Sequence, residues 1–188
     1  MDRIYCYPGT DILVNRLNIQ DQKRLQDAER KLTNLRILDL LENPLQGCFD
    51  LTHLQAIHRY IFQDIYTWAG KIRTVDIAKK TMFCKVQFIQ SQADDIFGKL
   101  KAEHYLEGSS RKDLSRKLAF YFSEINALHP FREGNGRSQR EFIRELALHN
   151  GYKLSFAKIS EAEMLDASVD LFLCNYYKME QIFLKSLE

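Results

Sequence analysis

No stretch of the sequence approaches the ~20 consecutive apolar residues of a bilayer-spanning helix, so a helical membrane protein is excluded although 45% of the 188 residues are hydrophobic. The first residues, Met1 to Gly9, lack the apolar core of a signal peptide, and a soluble, cytoplasmic protein is expected. Cysteine is scarce. Cys6, Cys48, Cys84 and Cys174 stand far apart with no CxxC pair, which argues against a zinc site or a disulfide framework and for reduced thiols. Neither sign of charge dominates: 27 Lys and Arg face 25 Asp and Glu, spread along the chain. A dedicated nucleic-acid binder would carry a basic footprint, and none is present. There are only three prolines, and no linker, internal repeat or low-complexity tract divides the chain. One domain over residues 1–188 is expected, long enough to bury a substantial core.

Helical periodicity dominates. Asn18 and Asp21 offer a cap before an apolar stripe of Leu25, Ala28, Leu32, Leu35 and Leu38, and Asn43-Pro44 ends that helix. A second helix opens at Asp50, with Leu51, Leu54, Ile57, Ile61, Ile65 and Trp68 inward and Ala69-Gly70 as its stop. The period then changes. Val75 and Ile77 alternate with polar neighbours, as do Met82, Cys84, Val86 and Phe88 after Lys79-Lys80-Thr81, which predicts a β-hairpin. A lone hairpin is marginal in water, so it must pack on helices or offer its open edge to a ligand. Helical spacing returns with Ile89, Ala93, Ile96 and Leu100, and again with Leu114, Leu118, Phe122 and Ile125. Phe142, Ile143, Leu146 and Ala147 mark a further helix closed by Asn150-Gly151. Ser160 and Glu163 form a capping box for a last helix carrying Leu165, Leu171, Phe172, Met179 and Phe183. The class is mainly α, with one hairpin.

Between the helix that stops near Leu128 and the one that starts near Arg137 lies His-Pro-Phe-Arg-Glu-Gly-Asn-Gly-Arg-Ser-Gln-Arg, His129 to Arg140. Its parts suit a phosphate site. Gly134 and Gly136 let the backbone approach a ligand, and the loop feeds a helix N-terminus whose unpaired N–H groups and dipole attract anions. Arg137 and Arg140, three apart on a helix, share one face and reach successive phosphates of a polyphosphate. Glu133 adds a hard carboxylate oxygen of the kind that holds Mg²⁺ together with phosphate oxygens and water. His129 is a candidate general base, imidazole being the side chain that exchanges protons near neutral pH. Taken singly, each residue has a plainer role: a helix cap, a turn, a solvated face. An ordinary helical corner needs no such set within twelve residues.

These twelve residues resemble the Fic motif, His-x-Phe-x-(Asp/Glu)-Gly-Asn-Gly-Arg-x-x-Arg, with every defined position filled. The resemblance implies a Fic fold, a helical bundle with a β-hairpin flap over about residues 72–86 beside the active site. It implies transfer of AMP from ATP to a hydroxyl side chain of a target protein, with pyrophosphate leaving. In those terms His129 is the base, Phe131 anchors the loop in the core, and Glu133 holds Mg²⁺ between the α- and β-phosphates. Asn135 and the amides around Gly134 and Gly136 bind the α-phosphate, Arg137 the β-phosphate, and Arg140 reaches the γ-phosphate or braces the loop. The flap residues Thr74, Val75, Asp76, Ile77, Met82, Phe83 and Cys84 dock the target main chain to main chain, and other surfaces choose the target.

Many Fic enzymes carry an inhibitory helix with the motif (Ser/Thr)-x-x-x-Glu-(Gly/Asn), whose glutamate pairs with the second motif arginine. No Ser or Thr of this sequence is followed by that pattern; Ser91, for example, meets Asp95. The chain resembles in this the Fic toxins restrained by a separate small antitoxin, and the stretches Tyr7 to Ile12 and Asn15 to Ile19 are similar to theirs. A small antitoxin partner is therefore expected, and the resemblance implies a target among type II topoisomerase subunits. One rival is transfer of phosphate, as in the related Doc toxins, where lysine replaces the second motif glycine; Gly136 argues against it. A second rival is a non-catalytic protein-binding module, and transfer of UMP or phosphocholine is a narrower variation.

Overall fold

Asp21 begins the first helix as its sequence predicts, its side chain accepting the Arg24 amide at 2.8 Å. The structure, a computed structural model, describes residues 4–78, 82–171 and 175–188. Seven α-helices follow in order among them: α1 (Gln22–Glu42), α2 (Leu51–Phe62), α3 (Ile89–Ala102), α4 (Arg111–Leu128), α5 (Asn135–His149), α6 (Glu161–Leu171) and α7 (Tyr177–Ser186). Helix α5 lies between α2 and α4, α1 covers α2, α3 packs on α4, and α7 closes the other side of α4. A continuous cluster of buried apolar side chains runs through this bundle, drawing on every helix from α1 to α7. The chain reversal from α4 into α5 therefore sits at the centre of the bundle, on rigid elements.

Three helices differ from the sequence pattern, α1 in that Leu35 and Leu38 of its expected apolar stripe are exposed. Helix α2 stops at Phe62, and Ile65 and Trp68 are buried in the turns beyond it. The expected last helix is two: the Ser160–Glu163 capping box opens α6, the amides of Ser160 and Glu163 each finding the other's side chain, but α6 ends at Leu171. Phe172, expected within it, lies outside the described residues, as does Cys174. Leu165 is 66% exposed.

The expected hairpin is found only in part. Among the described residues there is no strand ladder between its limbs, only an isolated antiparallel bridge between Ala78 and Met82, beside a Phe83 amide that reaches the Ile77 carbonyl at 3.3 Å. Lys79, Lys80 and Thr81 lie outside the described residues. The limbs bond elsewhere: the Arg73 amide donates to the Pro130 carbonyl (2.9 Å), the Cys84 amide to the Ala127 carbonyl (3.0 Å) and the Val86 amide to Asp76 Oδ1 (2.8 Å). The alternation also shifts in the second limb, where Phe83 is buried and Met82 exposed, and Val86–Phe88 forms a 3₁₀ turn leading into α3.

Candidate active site

Helix α4 ends because His129 turns left-handed (φ 45°, ψ 59°), Pro130 following it. A non-glycine residue in this region carries strain of ~1–3 kcal/mol that its surroundings must hold in place. The His129 carbonyl is held by the buried Arg73, whose Nε–H donates to it at 2.8 Å. The imidazole is nearly covered, with Phe83 stacked on it at 3.7 Å between ring centroids and 12° between planes. Its Nδ1 lies 3.2 Å from the Asn126 carbonyl. A carbonyl only accepts, so Nδ1 carries the proton and, in the neutral ring, Nε2 carries the lone pair.

The loop beyond is braced from within. Phe131 is 1% exposed and stacks on His58 at 3.9 Å. The Asn135 carboxamide binds the backbone of Phe131 at both ends, accepting its amide at 2.9 Å and donating to its carbonyl at 2.7 Å. Asn135 thus closes the turn with its side chain. Gly134 (φ 80°) is the N-cap of α5, and a Cβ there would lie 2.1 Å from Phe62 Cζ, so no larger residue fits. No side chain caps the helix, and the Arg137 amide already donates to the Gly134 carbonyl (3.2 Å), so the first-turn amides of Asn135 and Gly136 are the ones that stand ready for an anion. Glu133 is exposed beside them, one carboxylate oxygen accepting the Gly134 amide at 2.9 Å.

The arginines differ in their surroundings. Arg137 is clamped: its Nη2 lies 2.5 Å from Glu29, its Nη1 donates to Thr33 Oγ1 at 3.1 Å, and its guanidinium lies 4.6 Å over the Phe62 ring. Glu29 also accepts the Tyr66 hydroxyl. Arg140 has no ion pair among the described residues. Burial, then the neighbouring Arg137, lower its pKa from the ordinary guanidinium value, with Glu161 opposing. A cleft of about 500 Å³ adjoins the loop without including His129; Arg137, Arg140, Arg144 and Lys153 line it together with Glu141, Glu188 and apolar side chains such as Leu41 and Phe156.

All the loop residues expected to act are thus gathered around one helix N-terminus, and the flap lies against them through Phe83 and Cys84. Thr74, Asp76 and Met82 face outward, while Val75 and Ile77 are half-buried. Sequence reasoning missed Glu29, His58 and Arg73. Arg73 carried a readable signal, because a charged residue there keeps the parity of Val75 and Ile77, the side of the limb read as apolar. Glu29 and His58 carried none, being single polar residues on helices distant in sequence.

A model of the Fic/DOC family matches residues 48–147. Along 182 residues the chain is 40% identical to the "probable protein adenylyltransferase Fic" of Escherichia coli, covering 96% of this chain and 90% of that protein. It is 39% identical over 184 residues to the protein adenylyltransferase VbhT of Bartonella schoenbuchensis, covering 97% of this chain but spanning only 38% of VbhT. Among solved structures, the Fic domain of a Bartonella quintana effector with bound ADP superposes with a TM-score of 0.90 at 26% identity, covering 98% of this chain and 94% of that one. The chain belongs to the Fic/DOC family.

Proposed function

We propose that the chain is a protein adenylyltransferase, moving AMP from ATP to a hydroxyl side chain of another protein. The observation that carries this is the His129 ring, whose Nδ1 faces the Asn126 carbonyl, so that Nε2 is the basic nitrogen, on a loop that feeds the uncapped N-terminus of α5. The names of the relatives give the nucleotide and the kind of acceptor. In the reaction, the target hydroxyl oxygen attacks the α-phosphorus while His129 Nε2 takes its proton, and the bond to the bridging oxygen breaks to release pyrophosphate. The first-turn amides of Asn135 and Gly136 receive the α-phosphate, Arg137 the β-phosphate and Arg140 the γ-phosphate, so that charge neutralisation and positioning carry the rate. Asn135 contributes with its backbone, its side chain holding the turn.

Glu133 suits Mg²⁺: an exposed hard oxygen at the phosphate end, with no group of three or more His, Cys, Asp or Glu gathered anywhere among the described residues to favour a site built from protein alone. Bound there with phosphate oxygens and water, the ion would supply charge for the phosphates. The target segment lies along the outer edge of the flap near Asp76, Ile77 and Met82. The chain works in the cytoplasm, in keeping with its isolated cysteines.

Regulation by a small antitoxin is part of the same reading. Its support is a sequence without the inhibitory motif and an Arg140 that lacks a carboxylate partner among the described residues, ready for a glutamate from another chain. Type II topoisomerase subunits are the first targets to try. The test is incubation with ATP labelled at the α-phosphate, Mg²⁺ and candidate targets, comparing the native chain with His129→Ala and weighing the modified protein by mass spectrometry. An AMP adduct lost in the variant is expected. A phosphate adduct, or equal labelling by both, would defeat the assignment. Purification from the host should recover a small companion protein with the inhibitory motif, and a chain harmless when expressed alone would refute that part.

A further inference from the structure

Arg73 is 1% exposed, yet the nearest carboxylate, Asp76, is 3.8 Å away and half exposed itself. The charge is satisfied instead by three main-chain carbonyls. Nε–H donates to His129 (2.8 Å), Nη1–H to Val75 (2.8 Å) and Nη2–H to Cys84. The first belongs to the end of α4, the second to the incoming limb of the flap, the third to the outgoing limb. The Arg73 amide adds a bond to Pro130, and the Cys84 amide one to Ala127. Next to Cys84, Phe83 stacks on the His129 ring. Burying a guanidinium without a close counter-ion is costly, and an apolar residue would fill the space at less expense. What the apolar residue lacks is a planar fork that holds three separate pieces of backbone at fixed angles.

The same bonds account for the lack of a strand ladder among the described residues of the two limbs. Carbonyls of both limbs point at one guanidinium between them, so at Val75 and Cys84 the limbs are joined through a side chain, while nearer the tip they meet directly at the Ala78–Met82 bridge and the Phe83-to-Ile77 bond. The flap is thereby tied to the strained backbone of His129, and any tilt of one limb is felt at the imidazole.

We propose that Arg73 is a positioning residue that sets the flap and His129 as a single unit, so that a hydroxyl registered by the flap arrives at His129 Nε2. This rests on the reading of the chain as an adenylyltransferase that docks its target on the flap. Arg73→Lys retains the charge but cannot span three carbonyls as a rigid fork. With α-labelled ATP and a bacterial lysate as acceptor, the variant should label protein about a hundredfold more slowly, the penalty of a reacting group displaced by about 1 Å. Binding of a non-hydrolysable ATP analogue should stay within about twofold, because no phosphate-facing group of α5 touches Arg73. In hydrogen exchange, the amides of Phe83, Cys84 and His129 should open about tenfold faster, with α2 and the body of α5 unchanged.

Labelling at the native rate would overturn the proposal, as would analogue binding that falls in step with labelling, since Arg73 would then be holding the phosphate loop. If the native chain labels nothing, the adenylyltransferase reading fails, and the exchange data still decide whether Arg73 couples flap to histidine. If the lysine variant does not fold, the native chain decides: amides of Arg73, Cys84 and His129 must share one protection factor, and Cys84 exchanging more than about tenfold faster than His129 sinks the idea.

Discussion

His58 acts by staying neutral. Its Nδ1 accepts the Gly70 amide at 2.8 Å, so Nε2 bears the proton and donates to the Glu133 carbonyl at 3.0 Å, while the ring is sealed between Phe131 and Phe62. A second proton would have to be buried with it, and burial lowers its pKa from 6.5 to about 4. The sign of the pH effect follows. Between about pH 6.5 and 4 the unfolded chain binds a proton at this site that the folded chain refuses, so stability falls as the solution is acidified, by roughly 3 kcal/mol across the window. Glu124 and Glu141, whose pKa values burial raises, act in the opposite sense. The clean measurement is therefore a difference: denaturant unfolding of the native chain against His58→Gln should show the acid-side slope flattened in the variant, and equal slopes would contradict this account. Gly134 makes a steric counterpart. Gly134→Ala meets both a positive φ and the Phe62 ring, and should cost more than about 2 kcal/mol and abolish nucleotide binding. Gly136→Ala, whose Cβ would only touch Arg140 Nη1 at 3.4 Å, should fold nearly as well as the native chain. Thermal melts of the pair check the contrast.

At the scale of elements, helix α1 shows how far the sequence could be read. Its start at Asp21 and its length were legible from the cap and the apolar spacing, but its inward face was not. Leu35 and Leu38, expected inside, are 64% and 59% exposed, while Thr33 is buried and Glu29 half-buried. Hydrophobicity marks the buried face only where that face meets apolar neighbours. Here it meets Arg137 and the Tyr66 hydroxyl, so polar residues take the inward positions and the pattern rotates. The motif loop was legible because its chemistry is local, whereas the strands expected of the flap are not found among the described residues, where Arg73 takes over bonding that alternation assigns to a partner strand. Glu29 gives this argument a test. Glu29→Ala leaves the largely covered Arg137 without its carboxylate, which should cost about 1–3 kcal/mol in the absence of nucleotide. Saturating ATP analogue should narrow that deficit, because phosphate oxygens replace the lost carboxylate. Urea unfolding with and without the analogue measures both, and a deficit that does not narrow would mean that Arg137 does not meet the phosphates.

Across the whole molecule, three side chains of α5 tie it along its length to α4, α1, α2 and the turn between α1 and α2. Gln139 donates to the Phe122 carbonyl in α4, Arg144 to the Leu40 carbonyl in α1 at 2.9 Å, and Glu145 accepts the Leu45 amide at 3.0 Å while lying 2.9 Å from His53 in α2. The helix N-terminus and its loop are therefore formed before any ligand arrives, and nucleotide binding has little ordering to do. In that case binding free energy appears almost entirely as added stability of the folded chain. A ligand at a hundredfold its dissociation constant contributes ~2.7 kcal/mol, which for a chain of 188 residues raises the melting temperature by about 5–10 °C. If Glu133 holds Mg²⁺ between phosphates, a chelator should remove much of that shift from the native chain and little from Glu133→Gln, whose shift should already be small. A shift that ignores both chelator and substitution would place the metal elsewhere, and a large gain in helix content on binding would show that α5 is not preformed.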